Sequence, residues 1–418
     1  MEYYDFELEN GLKVVVQPDN STKVAVVDVL YDVGSRDEAP GKTGFAHLFE
    51  HLMFGGSKNI PSYDGPLQQV GGENNAFTSP DVTNYYISIP SNNLETAFWL
   101  ESDRMLSLSF DPNVLEVQRK VVIEEFKQRY LNQPYGDAWL KLRPLAYKDH
   151  SYKWATIGEK IEHIADATME DVKAFFKKYY LPCNAILSVV GDVTPDQVRI
   201  LAERWFGPIP GGEKPKRIIP IEPRQTAART SEVEAEVPLN AIYKVYHMPG
   251  RNDPNYHASD LLSDILGRGK SSRLYRRLVK ETRYLNSLST YVTGSIDPGL
   301  LVINGKLNDD VTYEQVENEI SNVIQNLLVN GISEDELTKV KNQAQSSFLF
   351  SEVELLNRAF NLAYYTLMGD TDLLNQEVNK IKAVREGQII ANATDILRNS
   401  NCSTLYYNKT QASPDCSG

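Results

Sequence analysis

One pattern occurs twice in this chain of 418 residues, and its two copies begin roughly 200 residues apart, as expected for a duplicated structural unit. In each copy a strand rich in β-branched residues ends at a tyrosine, Tyr31 or Tyr246, before a polar turn and a helical stretch. A glycine pair closes each copy, Gly55 with Gly56 in the first and Gly267 with Gly269 in the second. The sequence therefore predicts two domains that share one fold.

The segment between the two copies, GPIPGGEKPKRIIPIEP at 207–223, is rich in proline, glycine and charge, and is the predicted linker. Strands such as LKVVVQP and KVAVVDVLYDVG occur in groups, with helical stretches between the groups. This order is typical of the α+β class. We expect two homologous domains, residues 1–212 and 213–418, each a mostly antiparallel sheet with helices packed on one face.

Charge and cysteine usage restrict the partners and the compartment. The net charge of −13 argues against general nucleic-acid binding and disfavours docking on an anionic membrane. Cys183, Cys402 and Cys416 are far apart and odd in number, which is the usage of a reducing compartment rather than of a disulfide framework. The first residues already alternate like strands, without a basic and apolar leader. We expect a cytoplasmic protein, although a periplasmic protein whose leader has been removed would have the same sequence.

The stretch HLFEH, residues 47–51, places two of the chain's six histidines one helical turn apart. Side chains at i and i+4 lie on the same face of a helix, so His47 and His51 can reach one metal ion. Glu50 lies at the edge of that face, where its carboxylate can take a proton from a zinc-bound water. Catalytic zinc usually has three protein ligands, so a third ligand is expected elsewhere. A helix in EVQRKVVIEEFKQRY offers Glu124 and Glu125, and periodicity does not choose between them.

Three stretches together resemble the pitrilysin/insulinase family of zinc peptidases, which carries the inverted H-x-x-E-H motif. They are GSRDE with the HLFEH helix, GGENNAFTSPDVTNYY, and QRKVVIEEF. The likeness covers nearly the whole chain and is to short members of the mitochondrial-processing-peptidase type. It implies that His47, His51 and Glu125 bind Zn²⁺ and that Glu50 is the general base. Gln118 stands where the family has a glutamate, which affects a supporting group and not a ligand.

The segment after Gly72 resembles the strand that receives substrate in this family. The resemblance implies that an extended peptide adds to its edge through backbone hydrogen bonds, a mode that recognises shape before sequence. The residues that would pair with the peptide are Asn75, Ala76, Phe77 and Thr78. Taken alone, residues 72–86 are equally well explained as an ordinary strand after a glycine turn.

The second copy does not repeat the metal motif. When Gly267 is aligned with Gly55, the positions of His47, Glu50 and His51 are occupied by Ser259, Leu262 and Ser263. Active family members also use an arginine and a tyrosine, seven residues apart in the second domain, to bind the substrate carbonyl. The family pattern favours the register that places Val279 and Asn286 at these positions, whereas a shifted register places Arg277 and Tyr284 there. The first register implies a heterodimer with a homologous metal-free subunit that supplies both groups, and the second implies a homodimer.

The favoured interpretation is a zinc endopeptidase that hydrolyses short or unfolded peptides. Residues 1–212 would bind zinc, and residues 213–418 would complete the substrate chamber. A catalytically silent scaffold subunit of the same fold is the alternative, although a scaffold has no need of the four motif residues. Another zinc hydrolase or lyase is the third interpretation, and the duplicated chain is long for it.

Overall fold

The computed structural model describes residues 1–410. A sheet forms in each half of this range, and the first contains β1 (Tyr4–Glu7), β2 (Lys13–Pro18), β3 (Val24–Tyr31), β4 (Glu73–Thr78), β5 (Thr83–Pro90) and β6 (Ala185–Gly191). The order across the sheet is β1-β2-β6-β3-β5-β4. Only the pair β2–β6 is parallel among these strands of the described chain. The first sheet is therefore mostly antiparallel, as predicted.

The second sheet contains β7 (Arg229–Ala235), β8 (Ala241–Met248), β9 (Leu285–Val292), β10 (Gly299–Leu307) and β11 (Cys402–Lys409). Its order is β7-β11-β8-β10-β9, with β7 and β11 parallel and the other neighbours antiparallel. The first sheet without β1 has the same order. The strands β2, β3, β4, β5 and β6 then correspond to β7, β8, β9, β10 and β11, respectively. The shared topology confirms the predicted fold class of two homologous α+β units.

Helices fill the connections between the strands. Those of the first half are α1 (Phe45–Leu52), α2 (Asp64–Gln69), α3 (Leu94–Leu106), α4 (Pro112–Phe126), α5 (Ala138–Ala146), α6 (Ile161–Ala165), α7 (Met169–Tyr179) and α8 (Pro195–Trp205). Those of the second half are α9 (Tyr256–Gly267), α10 (Tyr313–Asn330), α11 (Glu334–Ser351), α12 (Leu355–Leu367), α13 (Leu373–Ala383) and α14 (Glu386–Ile396).

Both faces of the first sheet are covered, whereas helices on one face only were expected from the sequence. Helices α3 and α8 contact one face, and α12, from the second half of the sequence, packs on the other. The central strands β3 and β6 are consequently buried along almost their whole length, which is why they are continuous apolar runs rather than alternating ones. The core under α12 combines strand residues with helix residues: Val15, Val26, Leu30, Ile186, Val190, Ala359, Leu362 and Ala363.

The second sheet is covered in the same way. Helix α9 packs against β9 and β10, and α5, from the first half of the sequence, packs against β7, β8 and β11. The core under α5 includes Leu142, Ala146, Val245, Val302 and Leu405. Each sheet thus receives one covering helix from the half of the sequence that does not contain its strands.

The compact units follow this exchange and are not continuous in sequence. One unit comprises Met1–Phe126, Trp154–Pro220 and Phe348–Glu377, and the other comprises Lys127–Lys153, Ile221–Ser347 and residues 378–410. The division at 212/213 remains a prediction about the duplicated sequence. It differs from the two compact units because α5 belongs to the unit that contains the second sheet, and α12 belongs to the unit that contains the first sheet.

Cys183 and Cys402 are free thiols, and the third cysteine, Cys416, lies outside the described residues. None of the helices formed by residues 1–410 is both long enough and apolar enough to cross a lipid bilayer.

Candidate metal site

The motif helix α1 separates its apolar residues from its histidines. Its buried side chains include Phe45, Leu48, Phe49 and Leu52, which anchor the helix in the core of its unit. The chain enters the helix through Gly44, whose φ is +86°. A Cβ atom there would lie 2.6 Å from the backbone oxygen of Ile157, so only glycine fits this turn without strain.

His47 and His51 lie on the opposite stripe of α1 and remain partly accessible, with 13% and 23% of their side-chain surfaces exposed. Their ring centroids are 4.9 Å apart and the ring planes are nearly perpendicular, at 84°. The i, i+4 spacing therefore turns both imidazoles toward one point, as the sequence predicts.

Glu125 completes the group from the last turn of α4, which packs against α1. Its Oε2 atom lies 3.7 Å from His47 Nε2 and 3.5 Å from His51 Nε2. The neighbouring Glu124 is exposed, so the structure brings Glu125 and not Glu124 to the histidines. A π-helical turn, Lys127–Leu131, follows α4 directly. Such turns are frequent beside functional sites.

These distances fit a tetrahedral zinc ion. Two ligands about 2.0–2.1 Å from such an ion lie roughly 3.3 Å from each other, and the observed separations exceed this value by a few tenths of an ångström. One ligand atom from each of His47, His51 and Glu125 lies within 4.8 Å of the others. Two histidines and a glutamate are also the donors of a known type of catalytic zinc site, which leaves one position open. Among residues 1–410 no other such group of three was found.

Glu50 lies beside this group and is held by the edge strand β4. The hydroxyl group of Thr78 donates a hydrogen bond to Glu50 Oε2. The buried hydroxyl groups of Tyr85 and Tyr180, 3.1 Å apart, are also close enough to interact with the Glu50 charge. Burial raises the pKa of both tyrosines, and the Glu50 charge adds to the rise. The sequence alone does not predict the Thr78 contact or the tyrosine pair, because neither is near Glu50 in sequence.

Strand β4 contains the four residues predicted to receive substrate. Within the described chain it pairs only with β5 and forms one edge of its sheet. Its burial alternates residue by residue, so Ala76 and Thr78 are less exposed than Asn75 and Phe77. Phe77 contacts Phe360 of α12 edge to face, with ring centroids 5.2 Å apart. Among residues 1–410 no strand pairs with the other backbone edge of β4.

The second unit has no equivalent constellation within the described residues. Ser259, Leu262 and Ser263 are buried on α9. Val279 and Tyr284 pack against the core of their unit, whereas Asn286 is exposed on β9. The Arg277 guanidinium is engaged by two carboxylates, Glu319 and Glu281.

The fold and the donor group together define a class: duplicated α+β proteins with an inverted zinc-peptidase motif on one unit. Comparison with known proteins identifies the family. The family model "Insulinase (Peptidase family M16)" matches residues 13–143, and the model "Peptidase M16 inactive domain" matches residues 166–344. The chain belongs to the pitrilysin/insulinase (M16) family of peptidases, which confirms the resemblance inferred from the motifs.

Three relatives illustrate the membership. The zinc protease PqqE of Helicobacter pylori is 32% identical over 405 residues, which cover 96% of this chain and 91% of that protein. The crystal structure of a protease from Helicobacter pylori superposes with a TM-score of 0.91 at 31% identity, covering 97% of this chain and 99% of that one. A probable mitochondrial-processing peptidase subunit beta of Schizosaccharomyces pombe is 27% identical, over 70% of this chain and 66% of that protein.

Proposed function

We propose that this protein is a zinc-dependent endopeptidase. The observation that carries the proposal is the convergence of His47, His51 and Glu125, with Glu50 on the same helix beside them. Relatives that are named zinc proteases support zinc as the metal. Imidazole and carboxylate donors suit Zn²⁺, although the order of metal affinities alone would not select it.

The residues divide the chemistry between them. Zinc, when bound, would act as a Lewis acid that lowers the pKa of a water molecule and polarises the peptide carbonyl. Glu50 would accept the proton of the attacking water and pass it to the leaving amine. The Thr78 hydroxyl group would fix the orientation of the Glu50 carboxylate through its hydrogen bond to Oε2.

The edge strand β4 would hold the substrate. A peptide added to the open edge of β4 would be extended and would pair with those backbone groups of Asn75, Ala76, Phe77 and Thr78 that do not face β5. Thr78 links that edge to Glu50, so a peptide bound there lies next to the proton acceptor. A folded chain does not present a free extended strand, which is why we propose short or unfolded peptides as substrates.

Replacement of Glu50 by Gln tests the proposed base. We expect the rate constant kcat for hydrolysis of a quenched fluorescent peptide library to fall by about 10²–10⁴-fold, because general-base catalysis contributes this much. Zinc content should remain that of the wild-type chain, since Glu50 is not among the three ligands. Glu124→Gln is the matched control, because it changes an exposed neighbouring carboxylate, and should leave kcat unchanged. Equal activity of wild type and Glu50→Gln would exclude the proposed mechanism.

We further propose that the chain acts with a homologous metal-free subunit that supplies an arginine and a tyrosine to the substrate carbonyl. The support is chemical: in the favoured register Val279 and Asn286 offer no such pair, and in the shifted register Arg277 is already engaged by Glu319 and Glu281. Hydrolysis by the purified chain should therefore be slow alone and rise when such a subunit is added. Full activity alone, lost in Arg277→Ala, would favour a homodimer. No activity in either state would favour a scaffold subunit.

A further inference from the structure

The motif helix lacks a capping side chain of its own. Helix α1 is eight residues long, and helices of this length are marginal in isolation. The first N–H groups of a helix need acceptors, which serine, threonine or aspartate at the N-cap usually provides. The N-cap of α1 is Gly44, which has no side chain to offer.

Glu38 supplies the missing acceptors from a distance. Its Oε2 accepts a hydrogen bond from the Gly44 N–H at 2.9 Å, and its Oε1 accepts one from the Ala46 N–H at 2.8 Å. The residue is only 6% exposed, so water is not available to replace it. The next residue after Ala46 is the proposed ligand His47, so the carboxyl group of Glu38 holds the turn from which this imidazole projects.

The turn that carries Glu38 is itself anchored. The indole N–H of Trp154 donates to the Ser35 backbone oxygen at 2.7 Å. The side chain of Asp37 pairs with Arg217 and accepts a hydrogen bond from the Gly34 N–H. Glu38 is therefore attached to a fixed turn and can define the position of the helix start, rather than adapt to it.

We propose that Glu38 is a positioning residue of the metal site, which fixes His47 relative to His51 and Glu125. The inference rests on the proposed zinc function and adds a residue to it. His51 is one turn further along α1 and is set by the buried Phe49 and Leu52 around it. The first turn depends on Glu38, so loss of its two hydrogen bonds lets His47 move away from the other two donors.

The test is the zinc affinity of Glu38→Gln in the full chain, measured by competition with a chromophoric chelator. In Glu38→Gln the amide oxygen can still accept a hydrogen bond from one backbone N–H, but the amide NH₂ group cannot accept one from the other. One of the two capping hydrogen bonds is therefore lost, while the side-chain volume stays nearly constant. We expect the zinc Kd to rise about tenfold or more, the scale on which loss of supporting hydrogen bonds weakens metal sites. The visible spectrum of the Co²⁺-loaded protein should change as well, since it reports donor geometry. Glu38→Asp, which keeps the carboxyl group but is one methylene shorter, should show the same effects.

Asp103→Asn is the matched control. Asp103 is also a buried carboxylate of this unit that accepts a backbone N–H, that of Asn59 at 3.2 Å, but it does not contact the first turn of α1. We expect Asp103→Asn to lower the thermal stability of the metal-free protein as much as Glu38→Gln does. Its zinc Kd and Co²⁺ spectrum should nevertheless remain those of the wild type.

The outcomes separate the two proposals. Wild-type zinc affinity in Glu38→Gln and Glu38→Asp, or weakening in Asp103→Asn to the same degree, would overturn the positioning role while leaving the zinc site in place. A wild-type chain that binds no zinc, or zinc that survives His47→Ala with His51→Ala, would overturn the proposed function and the inference with it.

Discussion

Asp28 illustrates how one residue can couple stability to pH. It lies on the buried strand β3, where its Oδ1 accepts a hydrogen bond from Asn84 at 2.7 Å and its Oδ2 has no partner among residues 1–410. Burial raises the pKa of Asp28 to about 8, the Asn84 hydrogen bond opposes the rise, and the charge of Glu101 adds to it. The folded protein therefore keeps Asp28 protonated at neutral pH.

The free energy of unfolding should consequently fall as the pH rises from about 4 to about 8. In this window the unfolded chain releases the Asp28 proton and the folded chain retains it, and the slope approaches about 1.4 kcal/mol per pH unit for one proton. Below about pH 4 both states are protonated and the contribution is constant. Asp28→Asn cannot titrate, so urea unfolding of the metal-free variant at pH 5, 6.5 and 8 should show a shallower decline. Parallel profiles of variant and wild type would contradict this assignment.

At the scale of single elements, α12 decides whether the first sheet can be stable. Leu362 of this helix is fully buried against strand residues such as Val26 and Val190. The strands under α12 are apolar on the face that it covers, so the sheet depends on this helix to exclude water from them.

Leu362→Ala should therefore destabilise the protein by about 2–5 kcal/mol, the usual cost of a buried Leu→Ala substitution. Leu349→Ala is the control, because the same side chain is 56% exposed there and its loss should change stability by less than about 0.5 kcal/mol. Chemical denaturation of both variants measures the difference. A similar small effect of the two substitutions would mean that α12 is dispensable for this sheet.

At the scale of the whole molecule, the duplication produces two similar sheets whose covering helices are exchanged between the halves of the sequence. The unit that contains the candidate metal site needs Phe348–Glu377, although its strands end before residue 212. A continuous fragment can therefore contain all the proposed ligands and still lack part of its core.

This exchange predicts the behaviour of fragments. Residues 1–220 produced alone should fail to form a compact, zinc-binding protein, because the face of the first sheet that α12 covers would be exposed. Residues 1–220 produced together with 221–418 should assemble, since each fragment supplies the helix that the other needs. Gel filtration, dye binding to exposed apolar surface and zinc content measure both cases. A soluble, zinc-binding fragment 1–220 would show that α12 is not required.

The sequence alone determined those features that depend on residues close together in the chain. The i, i+4 spacing of His47 and His51 fixes their common direction, because the geometry of one helical turn is the same in any fold. The two similar strand-helix patterns likewise predicted two domains that share one fold. Periodicity left Glu124 and Glu125 equally acceptable as the third ligand. The resemblance to the family indicated Glu125.

Only the tertiary structure decided which distant groups meet. It placed Glu125 rather than Glu124 at the histidines, the Thr78 hydroxyl group on Glu50 and the Glu38 carboxyl group on the first turn of α1. It also assigned α12 to the unit of the first half of the sequence. Local backbone geometry does not encode these pairs. They form because buried carboxylates need hydrogen-bond donors and buried apolar faces need a cover, and the packed chain supplies both from remote segments.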